Sequence, residues 1–285
     1  MTTRAFLTNV AIILAVLAVG TLLETALPLF SAAKVGWRRR SANLGLTGVS
    51  FVSNWLLAST AAVVALSLRP AGVMASLQWP PYVQIAMGVV FLDFSVGYLS
   101  HRTLHMSSFL WRFHRIHHSD DFVDATTTYR THPVETVWRF LFSVVPVWLL
   151  GIPAQAVVIQ RLLQATWGVL EHSNVRMWRP LDRALSLVFV TPNVHKIHHS
   201  RELAETNSNY GNVLTLYDRL LRTFTPSERA YSVVYGLDDA DPVRSSSFPG
   251  LLTMPFEPTA EVTSTSFRPA PVPDTKVRNG ASLAR

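Results

Sequence analysis

Long apolar segments separated by short polar ones are the main pattern along this chain of 285 residues. Five segments stand out, at 6–30, 43–68, 81–100, 134–150 and 153–171. A helix of about 20 apolar residues crosses a bilayer, and most of these segments approach or exceed that length. The glycine and proline within 151–153 separate the last two, so these form either two spans or a packed helical hairpin. The pattern predicts an all-α integral membrane protein with about four to five apolar helices.

Basic residues between these segments predict how the chain is oriented. The connection after the first segment contains Lys34, Arg38, Arg39 and Arg40, whereas the next connection contains only Arg69. Because Lys and Arg collect on the cytoplasmic side of a membrane, the first connection is predicted to be cytoplasmic and the second is not. The third segment and the hairpin then each return the chain to the cytoplasm. This topology predicts a cytoplasmic helical cap that carries the later polar motifs.

The two ends of the chain differ from this core. The segment 6–30 is longer than the hydrophobic region of a usual signal peptide, so we expect a retained anchor instead of a cleaved signal. Apolar residues at helical spacing over 213–224 predict an amphipathic helix lying on the cap. From Asp238 onward Pro, Ser, Thr and Ala dominate and the periodicity disappears. We therefore expect residues 238–285 to form a flexible tail.

Charge and cysteine content narrow the function classes. The formal net charge is +7, and the arginines border apolar segments instead of forming one basic stripe. This disfavours nucleic acid as a partner and favours a membrane surface. The chain has no cysteine, which excludes disulfides, thiolate ligands, iron–sulfur clusters and a cysteine nucleophile. Any metal is then bound through nitrogen and oxygen.

Histidine carries the candidate chemistry. All ten histidines lie between His101 and His199, and eight of them form three clusters. The clusters read HRTLH at 101–105, HRIHH at 114–118 and HKIHH at 195–199. Residues three and four apart share a helix face, so each cluster can aim two or three imidazoles at one point. Neutral imidazole is the commonest ligand for transition metals, and eight converging rings exceed what one ion uses. The pattern predicts two metal ions.

The other two histidines and several acidic residues have two interpretations. His172 ends an apolar segment close to the clusters, which favours a ligand, whereas His132 precedes a proline at a turn and suits a structural role equally well. Asp93 lies within an apolar segment and either orients a ligand histidine or pairs with an arginine. Further acidic residues either orient ligands or form a solvated rim: Asp120, Asp121, Asp124, Glu135 and Glu171.

These motifs, in this order, resemble the fatty acid hydroxylase superfamily, which includes sterol desaturases and alkylglycerol monooxygenase. The matching motifs are Asp93, Tyr98 and His101-Arg102 for the first histidine box, 109–120 for the second, 191–199 for the third, and then Asn209-Tyr210-Gly211 and Tyr217-Asp218-Arg219. Asp93 stands eight positions before His101, one more than the family pattern has. Together the motifs cover about the central half of the chain and are far more specific than any one box.

The resemblance implies a membrane-bound non-haem di-iron oxygenase that hydroxylates or desaturates an unactivated C–H bond of a lipid with O2. The implied cofactors are two iron ions, cycling between Fe2+ and Fe3+. The metal ligands are then His101, His105, His114, His117, His118, His172, His195, His198 and His199, with His132 left open as a tenth. Asp93, Asp120 and Asn193 are candidates for orienting these ligands. No catalytic residue beyond the metal ligands is expected.

This interpretation divides the chain into N-terminal membrane helices at 1–80, a histidine-box catalytic domain at 81–237 and the tail at 238–285. Reducing O2 consumes two electrons from outside, and the sequence contains no dinucleotide-binding glycine motif and no cysteine. We therefore expect a separate electron donor or reductase that docks on the basic cytoplasmic face. Because arginine outnumbers lysine, a bacterial inner membrane is favoured over the endoplasmic reticulum.

The alternative is a zinc-binding or metal-transport membrane protein, because imidazole sites bind zinc at least as tightly as ferrous iron. Transporters place their ligands near the bilayer midplane, whereas the topology here predicts histidine clusters outside the spans. A zinc hydrolase is disfavoured because the sequence contains no H-E-x-x-H helix. The oxygenase is therefore the preferred hypothesis.

Overall fold

The computed structural model describes residues 3–32, 35–67 and 72–257. Within these ranges the chain is helical and has no β-sheet, and its extended pairings are the isolated bridges Pro28–Val175 and Phe189–Leu214. The predicted all-α class is confirmed. Lys34 and Arg69, two of the basic residues used to predict the orientation of the chain, lie outside the described residues.

The helices follow one another through short connections. The first part contains α1 (Thr3–Ala26), α2 (Trp37–Ser67), α3 (Val73–Ser76) and α4 (Pro81–Leu92), which continues through a π-helix (Asp93–Leu99) into α5 (Ser100–Met106). Next come α6 (Ser108–His118), a 3-10 helix (Ala125–Tyr129), α7 (Pro133–Leu150) and α8 (Ala154–His172). The remaining helices are α9 (Arg179–Leu185), α10 (Pro192–His198), α11 (Leu203–Thr206), α12 (Leu216–Leu220), a 3-10 helix (Glu228–Tyr231), α13 (Pro242–Ser245), α14 (Phe248–Thr253) and a 3-10 turn (Met254–Phe256).

Two helical stretches of the described residues are long and apolar enough to cross a membrane. These are Pro81–Met106 and Pro133–Leu150, and Val10–Ala26 is a shorter apolar helix. Helices α2 and α8 occupy the other two apolar segments without meeting the same test of length and composition. The number of spans and their sidedness stay predictions.

The predicted break between the last two apolar segments is confirmed. Gly151 ends α7 with a φ of 68°, in the left-handed region that favours glycine. Beyond the turn the two helices pack on different neighbours, α7 on α2 and α8 on α4. The arginines of these helices have partners within the protein: Arg139 Nε donates to Glu135 at 2.8 Å, and Arg161 donates to Asn54 at 3.0 Å.

A buried ion network joins α2 to the chain that follows α6. Arg39 is buried, and it donates to Asp120 (Nε–Oδ1, 2.5 Å) and Asp124 (Nη1–Oδ2, 2.8 Å). Burial acts to raise the pKa of Asp120, but Arg39 and Arg130 together lower it below its usual value. Arg130 is itself fully buried and donates to the Ser245 carbonyl at 2.6 Å. Arg39 is therefore a structural residue, although its position in the sequence marked it as a membrane-surface charge.

The C-terminal segment corrects one expectation. The flexible tail was expected to begin at Asp238, but residues up to Glu257 are folded and contain α13 and α14. Leu251 and Met254 are buried in one cluster with Ala42, Leu46 and Ile116. The Pro- and Ser-rich composition of this segment hid its few apolar residues, which are spaced to contact α2 and α6. Residues 258–285 lie outside the described residues.

The helix around Asp93 and the helix expected at 213–224 both differ from a regular α-helix of the predicted length. The π-helix Asp93–Leu99 accommodates the extra residue between Asp93 and His101, because an i→i+5 pattern takes one residue more than an α-turn. The predicted amphipathic helix at 213–224 is reduced to the five residues of α12. It starts after Val213, whose carbonyl accepts from Val190, and ends before Arg222, which has a φ of 58°.

The packing of Leu251 gives the first testable prediction. Leu251→Ala removes a fully buried side chain, and such changes cost about 2–5 kcal/mol. We expect a lower apparent melting temperature in detergent, followed by circular dichroism. Val243→Ala is the control, because Val243 lies on neighbouring α13 and is 60% exposed. Equal melting temperatures for both variants would contradict a folded C-terminal segment.

Candidate metal centre

Nine of the ten histidines converge in two buried groups. The five-histidine group contains His101, His105, His114, His118 and His198. The four-histidine group contains His117, His172, His195 and His199. Within each group the ligand nitrogens all lie within 4.8 Å of one another. The groups adjoin, because the rings of His118 and His199 stack with centroids 4.7 Å apart.

Each H-x-x-H-H box contributes to both groups. In the box at 114–118 the first and last histidines join the five-histidine group, and His117 joins the other. The box at 195–199 does the reverse, sending His198 to the five-histidine group. This follows from helix geometry, since residues i and i+4 nearly align whereas i+3 is turned by about 100° from i+4. Each cluster therefore aims two imidazoles at one point, as predicted, while the third histidine of each H-x-x-H-H box joins the other group and His172 completes the four-histidine group.

Hydrogen bonds fix the tautomers in the five-histidine group. The carbonyls of Tyr210 and Ser208 accept from Nδ1 of His101 and His198, at 2.8 and 2.7 Å. Because a carbonyl only accepts, each Nδ1 carries the proton and each Nε2 presents a lone pair. These two Nε2 atoms are 3.1 Å apart, and His101 Nε2 is also 3.1 Å from His114 Nε2. Bare lone pairs facing each other at this distance repel, unless a cation lies between them.

The four-histidine group shows the same arrangement. His172 Nδ1 donates to the Gly168 carbonyl at 2.6 Å, so its Nε2 is a lone pair. That Nε2 faces the Nε2 atoms of His117 at 3.0 Å, His195 at 3.0 Å and His199 at 3.2 Å. His172 is thus the centre of this group.

A metal ion fits these nitrogens better than a proton does. Two nitrogens at right angles, each about 2.1 Å from one ion, lie about 3 Å apart, which matches the spacing found here. Burial lowers the pKa of His198 to about 3 and lowers the pKa values of His195 and His199 well below the usual range. The rings are therefore neutral near pH 7 and able to bind metal. Each group could hold one ion.

Glu135 orients His114, a member of the five-histidine group. Its Oε2 accepts from His114 Nδ1 at 3.0 Å, and its Oε1 accepts from Arg139 Nε at 2.8 Å. Glu135 and His114 have fully buried side chains. A carboxylate behind a ligand histidine fixes the ring and makes it a stronger donor to the metal. Sequence reasoning left Glu135 open between this role and a solvated rim, and the structure places it behind His114.

A second buried carboxylate lies behind the four-histidine group. Glu171 accepts from Asn212 at 2.7 Å through Oε1, and its Oε2 is 3.8 Å from His195 Nδ1. Among the described residues, neither Glu171 Oε2 nor His195 Nδ1 has a hydrogen-bond partner. Asp93 is buried too, but its carboxylate faces Tyr217 and the backbone of 213–214 instead of a histidine.

The turn at 207–211 supplies the carbonyls that orient His101 and His198. Asp218 holds this turn, accepting from the backbone N–H of Tyr210 at 2.9 Å and of Gly211 at 2.8 Å. A Cβ at Gly211 would lie 2.5 Å from the Leu214 carbonyl, so no side chain fits there. The motifs Asn209-Tyr210-Gly211 and Tyr217-Asp218-Arg219 therefore act together, because Asp218 of the second holds the turn whose carbonyls orient His101 and His198.

Two of the predicted orienting residues do other work. Asp120 accepts from Arg39 in the buried ion network described above. Asn193 is buried on α10, where its Nδ2 donates to the Tyr231 hydroxyl at 3.3 Å. In the described structure both residues position the segments that carry histidines, without a hydrogen bond to a histidine ring.

His132 stands apart from both groups. Its Nδ1 accepts from the Val134 backbone N–H at 3.2 Å, which caps the start of α7, and its ring lies 5.1 Å from that of Phe113. Between the two roles left open for it, the structure supports the structural one. We therefore leave His132 out of the proposed ligands.

Comparison with known proteins agrees with this site. A model of the fatty acid hydroxylase family matches residues 85–223, which include all nine converging histidines. Over these residues the chain is similar to the fatty acid hydroxylase family. The chain is similar to ornithine lipid hydroxylase OlsE of Rhizobium tropici, with 38% identity over 161 residues, covering 56% of this chain and 47% of that protein.

Two animal proteins are also similar to the chain. The alkylglycerol monooxygenase of Caenorhabditis elegans is 29% identical over 148 residues, covering 52% of this chain and 28% of that protein. That of Danio rerio is 30% identical over 151 residues, covering 52% of this chain and 32% of that protein. The chain thus spans less than half the length of these relatives. No solved structure matches the chain.

The central place of His172 predicts a difference between two histidine variants. His172→Ala removes the nitrogen that all three other members of its group face, so we expect bound metal to fall by about half. His132→Ala, the matched control, should retain metal at the level of the parent protein. Elemental analysis of the purified proteins measures both. Equal loss in the two variants would contradict the grouping.

The hydrogen bond to Glu135 predicts a graded effect. Glu135→Gln keeps a side chain of the same shape but removes the charge behind His114, and loss of such a partner lowers metal affinity by about 10–100-fold. Competition with a chelator measures this. Glu228→Gln, at an exposed position, is the control. Unchanged retention of metal by Glu135→Gln would show that the carboxylate does not act on the ligand.

Proposed function

We propose that this protein is a membrane-bound non-haem di-iron oxygenase that hydroxylates an unactivated C–H bond of a lipid. The observation that carries the proposal is the pair of adjoining buried groups in which imidazole lone pairs converge at 3.0–3.2 Å. In the balanced reaction, the lipid R–H, O2, two electrons and two protons give R–OH and water. The irons, when bound, supply the oxidising power that removes a hydrogen atom from an alkyl carbon.

The substrate class is proposed from the relatives and from the apolar helices. The named relatives are an ornithine lipid hydroxylase and alkylglycerol monooxygenases, so both names specify a lipid. The first histidine box lies at the end of Pro81–Met106, an apolar stretch long enough to span a bilayer. A lipid chain can therefore reach the histidine groups from the bilayer without crossing water.

The protein's own residues hold and shield the site. Nine neutral histidines would bind the two irons, and the carbonyls of Tyr210, Ser208 and Gly168 keep three of the rings in the tautomer that ligation needs. Glu135 fixes His114 and balances part of the metal charge. All nine histidines are at least nine-tenths buried, which excludes bulk water from the oxidising centre.

Iron is favoured over zinc because cleaving an alkyl C–H bond with O2 requires a metal that changes oxidation state, and zinc does not. We propose a separate electron donor or reductase that docks on the cytoplasmic face, close to the histidine groups. We also propose a multi-pass arrangement with these groups on the cytoplasmic side, in a bacterial inner membrane, and one of the named relatives is bacterial. Desaturation starts from the same hydrogen abstraction and is separated from hydroxylation by the product.

The proposal predicts both metal content and product. Protein purified in detergent from iron-supplied cells should contain about two irons per chain, measured by elemental analysis, and Mössbauer spectroscopy should show them to be coupled. Incubated with membrane lipids, isotopically labelled O2 and a reductant, it should yield a lipid that carries one labelled oxygen atom. His198→Ala should abolish turnover, whereas His132→Ala should leave it measurable.

Three outcomes separate the alternatives. Zinc that persists after anaerobic reconstitution with iron would overturn the oxygenase in favour of a zinc-binding or transport protein. A product that lacks two hydrogens and carries no label would identify a desaturase. Full turnover by a metal-free His198→Ala variant would contradict the di-iron mechanism.

A further inference from the structure

An exposed apolar surface lies between the last two ligand-bearing helices. It is formed by the chain that leaves α8, runs through α9 to Val188, and is joined by α12. Its main side chains are Trp178, Leu181, Leu187, Val188, Leu216 and Leu220, and we call this set the apolar platform. Trp178 is 71% exposed, Leu187 65% and Leu220 70%. Large apolar side chains rarely cluster in water on a soluble protein, so this surface marks a contact with something else.

The two parts of the platform are held together as one surface. Val190 N–H donates to the Val213 carbonyl at 2.9 Å, and Thr215 N–H donates to the Val188 carbonyl at 2.9 Å. Arg219 also donates to the Ser186 carbonyl at 2.8 Å. On α12, positions 216 and 220 are four residues apart and therefore share a face. The apolar residues of both segments thus belong to one continuous structure.

The platform lies beside a membrane-length helix, and not beyond its end. The Tyr217 hydroxyl of α12 donates to the Val90 carbonyl at 2.8 Å, and its ring is 5.1 Å from that of Phe94. Val90 follows Pro81 by nine residues, about 14 Å along a helix, within an apolar layer about 30 Å thick. Trp167 of α8 donates to the Val190 carbonyl at 2.7 Å, which anchors the other edge. If Pro81–Met106 spans the bilayer, the platform must sit at the level of one lipid leaflet.

Charge along the platform agrees with this position. Five exposed arginines border it. The guanidinium groups of Arg179 and Arg219 lie over the rings of Tyr231 and Phe224, and the other three are Arg176, Arg183 and Arg222. In the part of the chain that the structure describes, the ion pairs involve other basic residues. Long arginine side chains on an apolar face reach up to phosphate groups while their stems stay in the apolar layer. Trp178 is also the residue type that is enriched at membrane interfaces.

We propose that the apolar platform inserts into one leaflet of an anionic phospholipid bilayer, with Arg176, Arg183 and Arg222 at the phosphate level. This inference rests on the proposed membrane insertion of Pro81–Met106, but not on the oxygenase activity. The platform connects His172 to the box at 195–199, so it would hold the four-histidine group at the lipid surface. A docking site for a soluble protein is disfavoured, because a bilayer around the adjacent span would cover this face.

The absence of cysteine from the chain allows a direct test. Leu187→Cys and Leu220→Cys each introduce one thiol for a nitroxide label in the full-length protein, reconstituted in phosphatidylcholine–phosphatidylglycerol vesicles. Collision of the label with O2 reports lipid exposure, and collision with a water-soluble nickel chelate reports aqueous exposure. Asp238→Cys, at a side chain 84% exposed, is the aqueous control. Val145→Cys, 47% exposed on α7, is the control for a spanning helix.

The expected result is an O2-to-nickel accessibility ratio several-fold higher at positions 187 and 220 than at 238, and similar to that at 145. If the labels at 187 and 220 were as accessible to the nickel chelate as the label at 238, while the label at 145 was in lipid, insertion of the platform would be overturned. The membrane span of α7 would then still stand. That pattern is also the one expected of a surface that binds a protein. A label at 145 that is open to nickel would overturn the membrane insertion on which the inference rests. None of these readings depends on turnover, so an inactive enzyme would not affect them.

Discussion

Repulsion between converging imidazole lone pairs is the constraint on which the rest of the structure depends. Rings such as His101 and His198 are turned by backbone carbonyls so that their Nε2 atoms face each other at 3.1 Å. Such an arrangement is unfavourable without a cation, and burial prevents water from relieving it. The fold therefore has to supply rigidity that holds the rings in place. Much of the polar structure around the site has that purpose.

Two sets of buried polar groups, on opposite sides of the site, hold the rings in place. On one side, Glu135 and the turn held by Asp218 fix individual rings of the five-histidine group. On the other side, Arg39 and Arg130 join α2, the chain after α6 and the C-terminal segment around one aspartate, Asp120. A buried arginine left without its carboxylate is costly, so these links resist opening. The site is thus supported by helices that contribute no ligand.

Sequence reasoning recovered the parts that depend on periodicity and residue type. The helical class, the break at Gly151 and the convergence of the histidines followed from apolar spacing and from the three boxes. What it could not reach depends on tertiary contacts. The orienting carbonyls of Tyr210 and Ser208 leave no side-chain signal, and Asp120 looked like a site residue because its partner Arg39 is far away in sequence. Leu251 was missed because one buried leucine is enough to anchor a polar segment.

The crossed contribution of the two H-x-x-H-H boxes has a consequence for motion. Because α6 and α10 each carry ligands of both groups, the separation of the two groups is set by the pitch of single helical turns. Displacement of α5 would move His101 and His105, and displacement of α8 would move His172; each of these histidines belongs to one group only. The spacing of the two groups is therefore fixed within the H-x-x-H-H motif itself and does not depend on how α5 and α8 pack against the rest of the fold.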